Sequence, residues 1–244
     1  MKGTFFQKPF EFNLDVPGEQ WFQGQELKGT LRVTNHAPSN DQFPENLGIA
    51  LAIGKNKKVK AKSSDAFEIV ETVSLSSSDQ VDFNFKLPIN GPISDKTQSY
   101  YLVYGDLAAK EGHLQLNVDS SLTFKPLLDV LDIFFRFKLK EKKFNKKSIE
   151  FKFIAPDAKE FKQLDTLILN MSEDEDLTIH INATFNLKNV GITDGNVAVQ
   201  KTKATKKLQL TSKDYLFQKD SPNQDAIRKV FQSLFDDISP NKFF

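Results

Sequence analysis

Apolar residues in this chain recur at every second position, which is the side-chain repeat of a β-strand with one buried face. Phe10, Phe12 and Leu14 alternate with Glu11 and Asn13, and Leu27, Gly29, Leu31 and Val33 alternate with Lys28, Thr30 and Arg32. Leu47, Ile49, Leu51 and Ile53 have only Gly48, Ala50 and Ala52 between them, a pattern that suits a central strand packed on both faces. Phe67, Ile69, Val73 and Leu75 follow, then Val81, Phe83, Phe85 and Leu87, then Tyr101 and Val103, then Leu114, Leu116 and Val118. Between the runs stand turn signals. Pro17-Gly18 suits a type II turn, residues 35–46 read as a long loop, and Ser76-Ser77-Ser78-Asp79 reads as a hairpin tip. About seven short strands at such intervals predict a sandwich.

The second half repeats the style. Phe135, Phe137 and Leu139 form a hairpin reading with Ile149, Phe151 and Phe153. Leu167 and Leu169 face the run Leu177, Ile179, Ile181, Ala183, Phe185 and Leu187 across the acidic turn Ser172-Glu173-Asp174-Glu175-Asp176, and Val197, Val199, Leu208 and Leu210 close the strand list. The stretch from Asp82 to Pro88 echoes that from Ile149 to Pro156, as a duplicated sandwich would. A length of 244 residues suits two domains, since about 120 residues suffice to bury a core. The boundary is placed near Ser121, because residues 122–137 leave one strand pattern and begin another across Pro126. One helix is predicted over 224–238, with Ser221 as N-cap, Pro222 at N1 and Gln224 at N3, and Ile227, Val230, Phe231, Leu234, Phe235 and Ile238 on one stripe. That stripe is expected to dock on the chain's own second domain, the alternative being an interaction helix for a partner or a second copy.

Residues 16–19 (Val-Pro-Gly-Glu), followed by 27–33 (Leu-Lys-Gly-Thr-Leu-Arg-Val), resemble the opening of the arrestin-like superfamily. Phe85-Lys86-Leu87-Pro88 and then Tyr101-Leu102-Val103-Tyr104 are similar to that family's Pro-ended strand and the Tyr-x-Val-Tyr strand near the close of its first domain. Its bacterial members include Spo0M-like sporulation-control proteins of about this length. The resemblance implies an all-β fold of two tandem immunoglobulin-like (arrestin-like) β-sandwich domains with a C-terminal α-helix: 1–121, 122–220, and the helix and tail at 221–244. It also implies a non-enzymatic adaptor or scaffold, and it carries over no catalytic residues. The charged polar core of visual arrestins has no equivalent here, so phosphoreceptor recognition does not transfer.

Chemistry is sparse in the residues themselves. Zero Cys removes disulfides, thiolate metal sites and thiol catalysis. His36, His113 and His180 lie far apart in sequence, without the close spacing of a metal clasp. Gly48 to Asn56 fails as a phosphate loop, because five residues separate its glycines and Asn56 replaces the magnesium-binding hydroxyl. No nucleophile elbow or dinucleotide fingerprint occurs, the acidic turn at 173–176 lacks calcium-loop spacing and reads as a solvated tip, and Asp129 and Asp132 are too ordinary a pair to nominate as acid and base. No catalytic, metal or cofactor residue is assigned, and an unrecognised hydrolase stays only as a third reading. The amino terminus has no apolar signal core and no run approaches the roughly 20 apolar residues of a membrane span, so a cytoplasmic location is expected. The sequons Asn170-Met171-Ser172 and Asn182-Ala183-Thr184 are therefore read as chance matches.

Lysine is the informative charge. With 33 basic and 32 acidic residues the chain is balanced, yet only three of the basic residues are Arg. The lysines gather in Lys55, Lys57, Lys58, Lys60 and Lys62, in Lys138, Lys140, Lys142, Lys143, Lys146 and Lys147, and in Lys201, Lys203, Lys206 and Lys207. Such clusters guard sheet edges, and two on one face would draw anionic headgroups or phosphate. Scarcity of Arg argues against specific nucleic-acid recognition. The expected function is an adaptor that binds an unidentified protein partner through sandwich edges or loops. The alternative is a peripheral protein that meets an anionic membrane or phosphate with Lys55, Lys57, Lys58, Lys60, Lys142, Lys143, Lys146 and Lys147. A second copy of the chain is also open as a partner. The 23 Phe residues are assigned to the core, except Phe243-Phe244, read as a frayed or internally docked end.

Overall fold

The computed structural model describes residues 1–37, 46–75, 79–193, 196–218 and 221–238. The chain forms two units, Met1–Ser120 and Ser121–Phe244.

The first unit runs β1 (Lys2–Gln7), β2 (Phe10–Asp15), β3 (Trp21–Phe22), β4 (Glu26–Asn35), β5 (Leu47–Lys55), α1 (Asn56–Lys60), β6 (Phe67–Ser74), β7 (Gln80–Lys86), β8 (Gln98–Asp106), β9 (Gly112–Gln115) and β10 (Val118–Asp119). Two four-stranded sheets, ordered β1-β2-β4-β7 and β6-β5-β8-β9, enclose a core of Phe12, Leu14, Leu27, Leu31, Phe83 and Phe85 against Ile49, Leu51, Tyr100 and Leu102. Alternation explains the first sheet: in β2 the buried Phe10, Phe12 and Leu14 share one face, while Glu11 and Asn13 look outward. β5 is central and buried almost throughout, as its Gly and Ala spacers require. Gly18 has a φ of +102°, the left-handed geometry its turn needs. The Ser76–Asp79 hairpin is not formed, and residues 76–78 lie outside the described residues. β6 pairs with β5 and β7 with β4, so the chain changes sheets there. Strand β1 was not foreseen: it pairs with β2 from Lys2↔Asp15 to Gln7↔Phe10, and its alternation of exposed and half-buried residues leaves a weak hydrophobic signal.

The second unit runs α2 (Lys125–Ile133), β11 (Lys138–Asn145), β12 (Ser148–Ile154), β13 (Leu164–Glu173), β14 (Ile179–Thr193), β15 (Asn196–Leu210), α3 (Ser212–Tyr215), β16 (Leu216–Gln218), β17 (Ser221–Pro222) and α4 (Gln224–Ile238). The strands β11 to β15 form one antiparallel meander in sequence order. Both expected hairpins are present, the second turning at 174–178 with Asp174 N–H donating to Thr178 O at 2.9 Å. The fold class is all-β with a C-terminal helix, but the layer over this sheet is helical rather than a second large sheet. Leu127, Val130 and Leu131 of α2, and Ile227, Phe231, Leu234 and Phe235 of α4, are buried in the same unit as Phe151, Phe153, Leu167, Leu169 and Phe185 of the sheet.

Helix α2 is absent from the strand reading of 122–137. Pro126 lies in its first turn, where a missing N–H costs nothing, and Leu127, Val130 and Leu131 share one helical face. The predicted strand around Phe135 and Phe137 begins only at Lys138. The predicted cap also moves: Asn223, not Ser221, caps α4, its Oδ1 accepting from Ala226 N–H at 3.0 Å, while Ser221-Pro222 pairs with β16. The two units differ in strand order, so the echo between 82–88 and 149–156 reflects shared alternation rather than a repeated topology.

Candidate functional site

Helix α4 does not offer its stripe as a free surface. Phe235 stacks on Phe137 at 5.3 Å and 6°, and meets Phe135, Phe161 and Phe185 edge-on at 5.0, 5.1 and 6.3 Å. Phe231 meets Phe135 at 6.4 Å, Val230 is half-buried, and Ile238 ends the helix. These contacts all lie within the second unit. Residues 239–244, and with them Phe243-Phe244, lie outside the described residues.

Burying one face of β11–β15 leaves the other to polar residues, and the register aligns these into rows. One row reads Lys143, Glu150, Asn170, Asn182, Lys207; a second reads Glu141, Lys152, Ile168, Thr184, Thr205; a third reads Lys138, Ile154, Thr166, Asn186, Lys203. Lys188 and Lys201 extend the surface beyond the third row. Five strands at about 4.8 Å spacing make each row roughly 19 Å wide. The second and third lysine clusters therefore occupy the two edge strands of one sheet, and part of each faces the same side.

Two shallow depressions mark this face. One, of about 760 Å³, is lined by Lys146, Lys147, Asn170, His180, Asn182 and Lys207; the other, of about 450 Å³, by Lys140, Lys152, Asp165, Lys188, Lys201 and Lys203. Lys143 reaches Glu150 at 2.9 Å, and that carboxylate raises the lysine's pKa. Lys188 pairs with Asp165, whereas Lys138, Lys152, Lys201, Lys203 and Lys207 have no ion pair among the described residues. Asn186 Nδ2 donates to Thr166 Oγ1 at 2.7 Å. Asn170 Oδ1 is shielded and without a hydrogen-bond partner among the described residues. Lys142 and Lys206 belong to the opposite register, and Lys206 pairs with Asp237 of α4 at 3.2 Å.

The first lysine cluster lies in the other unit. Lys55 ends β5, and Lys57, Lys58 and Lys60 ride on α1. Lys58 pairs with Asp65, and together with a 2.5 Å bond from Ser63 Oγ it pulls that carboxyl down to about 2.

Two histidines have carboxylate partners that their sequence neighbourhood did not show. His36 Nε2 lies 2.9 Å from Glu11 and His180 Nε2 lies 2.7 Å from Asp174. Hydrogen bonds from Asn13 and then His36 lower the Glu11 pKa. Both are pairs at exposed positions, and no group of three or more His, Asp or Glu side chains converges among the described residues. No helix among the described residues is long and apolar enough to cross a membrane.

No family model and no curated protein matches the sequence. Among solved structures, the sporulation control protein Spo0M from Bacillus subtilis aligns over 95% of this chain and 99% of its own, with a TM-score of 0.59 at 14% identity. The chain has the Spo0M fold. The family resemblance read from residues 16–33 and 85–104 named Spo0M-like proteins, and the likeness found is one of fold. A DUF4785 family protein from Legionella pneumophila aligns over 84% of this chain and 48% of its own at 13% identity, with a TM-score of 0.29 too low to carry an argument.

Proposed function

We propose that this chain is a non-enzymatic adaptor that docks an acidic protein surface on the lysine-bearing face of its five-stranded sheet and on the flanking edge strands β11 and β15. The carrying observation is that face: cationic groups from both edges flank central rows that carry Asn170, Asn182, Asn186, Thr166 and Thr184. Amide and hydroxyl groups offer directional hydrogen bonds between the charges, which a folded protein partner can match and a fluid surface cannot. The Bacillus subtilis protein of this fold is a sporulation control protein, and a regulatory rather than catalytic role is proposed here with it.

The lysines also favour a second reading, attachment to an anionic membrane. Against it, interfacial binding draws on apolar anchors, and within the three rows given above Ile154 and Ile168 are the apolar members.

The test compares the full chain with its Lys201→Glu/Lys203→Glu/Lys207→Glu variant, first in capture from its native cell and then in sedimentation with phosphatidylglycerol vesicles. A stoichiometric acidic protein retained by the first and lost by the second supports the adaptor. Salt-sensitive vesicle binding without such a protein moves the assignment to the membrane, and partner capture unchanged in the variant removes this face from the function.

A further inference from the structure

The most enclosed recess described is in the first unit and shares no residue with the lysine-bearing sheet face. Its volume is about 410 Å³, within the size range of small-molecule sites. Three segments build it: β1 supplies Phe5, the stretch from α1 into β6 supplies Val59, Lys62 and Phe67, and the β8–β9 turn and the start of β9 supply Ala108, Lys110, Glu111 and His113.

Aromatic rings pack along one side of it. The Phe67 ring lies 5.3 Å from Tyr101 and 5.3 Å from His113, with Tyr101 and His113 themselves 5.9 Å apart. His113 Nδ1 sits 2.9 Å from the Glu111 carbonyl oxygen, which holds the imidazole in one orientation. Phe5 packs edge-on to Tyr104 at 6.3 Å and lies over Gly112, where a Cβ would come within 2.7 Å of its ring. The polar groups sit at two turns. Lys62 and Lys110 both have left-handed backbones, with φ of +52° and +56°, as turn residues adopt. Two ammonium groups against the single Glu111 carboxylate leave one excess positive charge beside an apolar wall.

We propose that this recess binds a small amphipathic monoanion, a carboxylate with a medium-length acyl tail. Phe5, Val59, Phe67 and Ala108 enclose the tail and Lys62 and Lys110 meet the carboxylate. Lysine suits a compact single charge, and the absence of Arg from the lining argues against a phosphate clamp.

The experiment is calorimetric titration of the full chain with decanoate, and in parallel with decan-1-ol and acetate. One-to-one saturable binding of decanoate is expected, with decanol and acetate each at least about tenfold weaker, because each lacks one of the two recognised parts. Lys62→Met/Lys110→Met should weaken decanoate about tenfold, and Ala108→Trp, at an exposed position, should block it while leaving the melting temperature unchanged. Decanol binding as tightly as decanoate, decanoate affinity unchanged in either variant, a stoichiometry above one, or no saturable binding would each overturn the assignment.

Discussion

All four tyrosines are held in their neutral form by burial, Tyr100 and Tyr104 in the sandwich core, Tyr101 on the opposite face of β8 against Phe67 and His113, and Tyr215 in the second unit. Tyr215 is pushed up to about 12, by desolvation first and then by the Glu173 and Asp176 carboxylates; its hydroxyl donates to Leu177 O at 2.6 Å. A raised pKa means that the folded state keeps a proton the unfolded chain gives up near pH 10. Stability from this source is complete below that pH and is lost as pH rises toward 12. Tyrosinate absorbance should accordingly appear together with unfolding rather than before it, and Tyr215→Phe should flatten the fall in melting temperature over that window. Tyr100 tests a different balance. Its hydroxyl is buried and has no hydrogen-bond partner among the described residues, so Tyr100→Phe should leave the urea midpoint unchanged or higher. A Cβ on Gly91 would meet that same hydroxyl at 2.2 Å, and Gly91→Ala is expected to cost about 1–3 kcal/mol in urea unfolding through overpacking.

Helix α4 is the element whose loss should matter most to the second unit. Phe235 sits among five rings of its own unit and is 4% exposed. Phe235→Ala should cost about 3–5 kcal/mol, measured by urea unfolding at several protein concentrations. A cost that varied with concentration would place the stripe in an interface between copies instead. Strand β15 behaves in the opposite way. Residues 201–203 and 205–207 are exposed, so the triple Lys→Glu variant at 201, 203 and 207 should hold its melting temperature within a few degrees while changing what the protein binds.

At the scale of the molecule, each unit has a core of its own. The cluster from Phe10 to Val118 is drawn wholly from the first unit, and the short pairing of β10 with β3 closes it with Trp21 N–H donating to Asn117 O at 3.0 Å. Residues 1–120 expressed alone should therefore give a cooperative thermal transition and a strand-dominated circular dichroism spectrum. A fragment that melts without cooperativity would show that its core depends on the rest of the chain.

Period-two alternation was enough to find most strands, their buried faces and the central place of β5, because one buried face imposes its repeat locally. The stripe of α4 was legible for the same reason. Pairing was not legible. Runs 67–75 and 81–87 look like a hairpin, and only the competition among all strands for partners sends them to different sheets. Helix α2 was hidden because Leu127, Val130 and Leu131 fall in a segment too short for its period to stand out beside Phe135 and Phe137. The lysine face and the recess of the first unit were hidden more deeply. Lys143 and Lys207 share a row only through the register of five strands, and Phe5, Phe67 and His113 meet only because two sheet edges and a turn converge. Sequence alone determined which residues leave water, since that is a property of each side chain and its neighbours. Tertiary structure decided which charges and rings stand together, since that depends on contacts between residues far apart in the chain.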